Sequence, residues 1–141
     1  MQPVDPHKLF SIFEQDDEQI YQEHQINDVL DNPFVLMGMV MRGIENYHIM
    51  DMMYMRQYPT EYKRVRTLTK HRYYDKLYSY LTRISITSQE QIYTIGESFS
   101  INEVDSALNH LRIYYETFEK YERCAIIKKY IDLLNTDKTL I

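Results

Sequence analysis

The sequence predicts an all-α fold: a single compact bundle of five or six helices with a C-terminal helical hairpin. Two observations carry this. Apolar residues recur at intervals of three and four along most of the chain, the spacing of one helix face. Helix-start signals also punctuate it, as Asp5 before Pro6, Pro59 in a first turn, and Ser100 three residues before Glu103. With 141 residues the chain fits one domain, 1–141, able to bury roughly two-thirds of its unfolded surface.

Residues 1–33 form an acidic N-terminal segment. Asp5 and Pro6 read as a cap and first helical position, followed by Leu9, Ile12 and Phe13 at helical spacing; Asp16, Asp17 and Glu18 break the pattern, and Ile20 to Leu30 allow a second short helix before Asn32 and Pro33. Residues 34–57 are apolar on nearly every side and carry seven of the eight methionines, which predicts a central helix buried against several neighbours. Gly38 and Gly43 within it point to close helix packing or a kink, because glycine in a helix interior costs about 1 kcal/mol relative to alanine. Pro59 disfavours the helical conformation at Tyr58 and marks a boundary.

The helix at 59–84 is basic and tyrosine-rich. Tyr62, Val65, Thr69, Tyr73, Leu77, Tyr80 and Ile84 make one continuous stripe that faces the core. Lys63, Arg66, Lys70, Tyr74 and Tyr78 make a second, basic at its N-terminal end and aromatic at the other, left for a partner. Residues 85–99 read as a short helix capped by Thr87 or Ser88 and ended by Gly96, with a strand-like connector as the alternative.

Ser100 and Glu103 form a capping box that opens a long helical stretch. Val104, Ala107, Leu108, Leu111, Tyr115 and Phe118 follow one face, and Tyr121, Cys124, Ala125, Ile127, Ile131 and Leu134 a second, so 100–135 reads as a hairpin; no glycine or proline marks the turn, and one unbroken helix is the alternative. Residues 107–134 resemble one tetratricopeptide-type helical pair, and also the UVR-type hairpin through Tyr121, Glu122 and Ala125. Arg112 and Lys128 depart from the tetratricopeptide pattern and no second copy is present; the resemblance implies a helical hairpin and no functional residue.

Charge is segregated. Residues 1–53 carry two basic against ten acidic side chains, 54–83 carry eight against two, and 84–141 carry six against nine, within a net charge of −5. Such asymmetry calls for an electrostatic partner or internal docking. The five histidines are scattered, and no metalloprotease, nucleophile-elbow or phosphate-loop motif is present, so no catalytic residue, metal or cofactor is expected. Cys124, on the apolar face of the last helix, reads as a small hydrophobe, and the adjacent carboxylates at 16–18 lack the spaced oxygens of a calcium loop. The methionines suit a core or a pliable protein-binding groove, since residues two apart on a helix do not converge on one metal ion.

No apolar run reaches membrane length and no secretory signal is evident, so a cytoplasmic protein without membrane contact is expected. Sparse alanine and glycine beside abundant tyrosine, isoleucine and methionine suggest A+T-rich coding and a viral source. The expected function is that of a non-enzymatic adaptor or assembly subunit. It binds a larger protein, or itself, through Lys63, Arg64, Arg66, Lys70, Arg72, Tyr74 and Tyr78 or through a methionine-lined groove. The alternative partner is nucleic acid, with phosphates on the cations and bases on Tyr74 and Tyr78. A third reading pairs the cations with the chain's own residues 14–31.

Overall fold

A computed structural model describes residues 31–139, with side chains through residue 136. The expectations for residues 1–30, including the Asp5 cap, the carboxylates at 16–18 and nearly all of the acidic docking segment 14–31, lie outside the described residues. Within them the chain forms five helices and no strand: α1 Pro33–Gln57, α2 Pro59–Arg83, α3 Gln89–Ser98, α4 Ile101–Thr117 and α5 Tyr121–Thr139.

Proline sets the two long helices. Asn32 caps α1 by accepting from the Phe34 amide at 2.9 Å, and Pro33 takes the first position, where its missing N–H is not needed. Tyr58 alone separates α1 from α2, because Pro59 starts the next helix. The result is an antiparallel hairpin in which Gly43 meets Leu77, Tyr47 meets Tyr73 and Asp51 meets Arg66. Gly43 permits the close approach: a Cβ there would stand 2.4 Å from Leu77 Cδ2, and its carbonyl accepts from the Tyr73 hydroxyl at 2.7 Å.

The undecided stretch after α2 is a turn and a short helix. Ser88 caps α3 by accepting from the Gln91 amide, and the helix runs through Gly96 to Ser98 rather than ending at the glycine. Phe99 then stacks on Phe34, at 5.1 Å between centroids, which ties the end of α3 to the start of α1.

The C-terminal hairpin is formed, with two departures from expectation. Ser100 starts α4 through its backbone carbonyl, which accepts from Val104, but its side chain makes no capping bond; at this exposed end water competes for the first-turn amides. The face of α5 is also rotated. Ile127, Tyr130 and Leu134 are buried while Tyr121 is 62% exposed and Ala125 lies at the surface. The turn itself is a Schellman motif: Lys120 N donates to Tyr115 O, Glu119 N to Glu116 O, and Glu119 takes the left-handed conformation at φ 59°.

The core is unusually rich in tyrosine. Eight of its 22 side chains are tyrosines, so the hydroxyls need buried partners. They find them across helices: Tyr62 on Asp51, Tyr73 on the Gly43 carbonyl, Tyr74 on His110, Tyr114 on His71, Tyr115 on Asp75, and Tyr130 on the Ile84 carbonyl. These hydroxyls stitch α2 to α1 on one side and to the α4–α5 hairpin on the other. The expected core stripe of α2 is confirmed, with Tyr62, Thr69, Tyr73, Leu77, Tyr80 and Ile84 buried and Val65 half-buried. The central helix is less enclosed than its composition suggests, since α2, α3 and α4 cover only part of it and leave Ile49, Met52 and Met53 more than half exposed. No helix of the described residues is long and apolar enough to cross a membrane.

Candidate partner-binding site

The antiparallel register around Tyr58 brings Asp51, seven residues before it, against Arg66, eight after. Asp51 is the single carboxylate among Met50, Met52 and Met53, and it is buried. Its Oδ1 accepts from the Tyr62 hydroxyl at 2.6 Å and from Arg66 Nε at 2.9 Å, its Oδ2 from Arg66 Nη2 at 2.6 Å, and Tyr47 adds a long contact at 3.5 Å. Burial works against the charge, but the bonds from Arg66 and Tyr62 outweigh it and hold the carboxyl below the ordinary range. Burial, then the Asp51 charge, raises the Tyr47 phenol to about 12. Burial, then the hydrogen bond to Asp51, holds the Tyr62 phenol well above its usual value. Asp51 in turn raises Arg66, which stays charged.

One turn further along α2 stands Lys70. Its ammonium lies 5.8 Å from the Tyr47 and Tyr74 ring centroids and 5.6 Å from that of Tyr114, within reach of all three negative ring faces. No carboxylate of the described residues lies within 4 Å of it. It looks into an open depression of about 610 Å³, walled by Ile44, Tyr47 and Ile49 of α1 and Tyr74 of α2, with Glu45, His48 and His110 at its lips. Burial, then the nearby Lys70 charge, lowers the His110 imidazole, which favours the neutral ring paired with Tyr74 at 2.8 Å.

A second open depression, about 530 Å³, lies at the α1–α2 turn between Met55, Pro59, Thr60, Lys63 and Arg64. Met52 stands one helical turn before Met55, and Ile49 one turn before Met52, so an apolar ridge runs from one depression to the other.

The expected stripe is therefore divided. Lys63, Arg64 and Arg72 are exposed as predicted, and the Arg66 side chain is 46% exposed although its Nε and Nη2 are bound. Tyr74 and Tyr78 correct the reading of a free aromatic end. Tyr74 is 1% exposed, stacked on Tyr114 at 4.3 Å, and the Tyr78 ring is covered by the Arg123 guanidinium at 4.7 Å. The cause is the α4–α5 hairpin, which packs on this half of α2 and donates Arg123 to Asp75 at 2.7 Å. Asp51, Tyr47 and His110 were not singled out from the sequence. A signal for Asp51 was present, as the one acid in the apolar run from Ile49 to Met55, set opposite an arginine across a proline turn.

The arrangement offers cations beside exposed apolar side chains. No family model, no curated protein and no solved structure matches the chain.

Proposed function

We propose that the protein is a non-enzymatic interaction module, an adaptor or assembly subunit of a reducing compartment, that holds an acidic protein partner at the tip of the α1–α2 hairpin. One observation carries the reading: Ile49, Met52 and Met53 are 56%, 54% and 52% exposed on the same tip that presents Lys63, Arg64 and Arg66. Methionine is a pliable apolar contact, and arginine beside apolar surface is the composition that protein interfaces favour. The burial of Tyr74 and the capping of Tyr78 favour a protein over nucleic acid, because an unpaired base would find neither ring free for stacking.

The test is crosslinking in an extract of the source cells, followed by reconstitution with the purified partner. Lys63→Glu with Arg64→Glu, and separately Met52→Asp, should leave thermal stability within about 0.5 kcal/mol, as surface changes do, and each should weaken the reconstituted complex by about ten-fold or more. Binding indifferent to both variants, or a low-salt affinity for an oligonucleotide that exceeds the affinity for any protein, refutes the reading.

A further inference from the structure

The ammonium of Lys70 is half-buried against three tyrosine rings with no carboxylate of the described residues within 4 Å. Next to it, Asp51 engages Nε and Nη2 of Arg66 and leaves Nη1 unbonded within the described residues. The Lys70 ammonium and the Nη1 donor of the paired Arg66 thus line one depression, in which Ile44 and Ile49 supply apolar wall beside Tyr47 and Tyr74. A group that fits must carry negative charge at one point and apolar surface beside it.

The other charges at the depression narrow the choice. Asp51 and Glu45 both stand at it, so a doubly charged phosphate would meet two carboxylates, and no helix N-terminus is among the lining residues to offset them. A single carboxylate matches the one charge of Lys70 and meets about half that repulsion. We propose that this depression is the anchor point for one glutamate or aspartate side chain of the partner, paired with Lys70 Nζ and Arg66 Nη1, with the neighbouring apolar side chain of the partner seated on Ile44 and Ile49. The inference rests on the interaction reading above and supplies the partner's chemistry.

The experiment titrates the whole protein, by amide NMR, with acetyl-Glu-Leu-amide, acetyl-Gln-Leu-amide and inorganic phosphate at matched ionic strength. The glutamate dipeptide should shift amides within 44–51 and 66–70, and the glutamine dipeptide should bind about ten-fold more weakly, the loss expected for one charged contact. Lys70→Gln should abolish the preference and Lys70→Arg should keep it. Equal binding of the two dipeptides by the wild-type chain, shifts confined to other residues, or tighter binding of phosphate at these amides overturns the proposal, and none of these depends on a variant folding. A reconstituted partner complex unaffected by Lys70→Gln but broken by Lys63→Glu with Arg64→Glu removes the anchor and leaves the interaction reading standing. A clear carboxylate preference with no acidic protein captured does the opposite.

Discussion

Removing the Asp51 carboxylate tests whether the buried network holds the hairpin tip together. In Asp51→Ala the Tyr62 hydroxyl, on a residue with no exposed surface, loses its acceptor, and a stranded buried polar group costs about 1–3 kcal/mol. The Arg66 side chain is 46% exposed and can turn to water, so its ion pair is counted at the surface value of about 0.5–1 kcal/mol. The expected loss is about 2–3 kcal/mol by urea unfolding, with an unchanged slope. Tyr62→Phe removes the donor instead, leaves Asp51 bound by Arg66, and should cost about 1 kcal/mol. Because the two changes break the same bond, the double variant should be less damaged than their sum by about 1–2 kcal/mol. A coupling below about 0.5 kcal/mol refutes the reasoning. Acid adds a second reading. The folded carboxyl titrates below its unfolded value, so the unfolded chain takes up the proton first as pH falls. The stabilisation is complete above the unfolded value near pH 4 and is lost as pH falls through the lower folded value. Asp51→Asn should therefore flatten this part of the acid limb of the stability curve.

Three further outcomes follow from local geometry. Gly96 has nothing within 4 Å of an added Cβ, so Gly96→Ala should raise stability by about 0.5–1 kcal/mol, whereas Gly43→Ala, which meets Leu77, should cost about 1 kcal/mol despite the better helix propensity; denaturant midpoints decide both. Glu119 holds a left-handed backbone, and Glu119→Gly should stabilise the hairpin by about 1 kcal/mol in the same assay. Burial raises the Cys124 thiol, whose sulfur donates to the Arg112 carbonyl, so iodoacetamide should label the native chain more slowly than the urea-unfolded chain at neutral pH; equal rates would contradict the assignment.

Where the residue type forces the backbone, the fold was legible. Pro59 starts a helix at the expected position, and the i, i+3, i+4 rule picked out the core stripe of α2 because most of that stripe answers to one neighbour, α1. The turn at Glu119 was not legible because a Schellman motif is a pattern of backbone bonds, and here a glutamate adopts the conformation that glycine usually takes. The division of the basic stripe was hidden for a different reason. Spacing tells which residues share a face, but it does not tell how far along a helix a second neighbour extends. Tyr74 and Tyr78 share a face with Lys63 and Lys70, and only the arrival of α4 and α5 makes their half of that face interior.

Helix lengths explain where the covering stops. A helix of 25 residues is about 37 Å long and one of 17 residues about 25 Å. The cross-helix ties from α2 to the C-terminal hairpin all fall at or beyond Lys70, at His71, Tyr74, Asp75 and Tyr78. Among the described residues, the first turns of α2 and the last of α1 therefore run past the end of the α4–α5 layer. This one mismatch accounts for both features that support the proposed partner site: Ile49, Met52 and Met53 stay exposed, and Lys63 and Arg64 keep their charge at the surface. It also gives the Asp51 network its place. With no covering layer at the tip among the described residues, the Tyr62, Asp51 and Arg66 contacts tie α1 to α2 there, directly beneath the exposed ridge and both depressions of the proposed site.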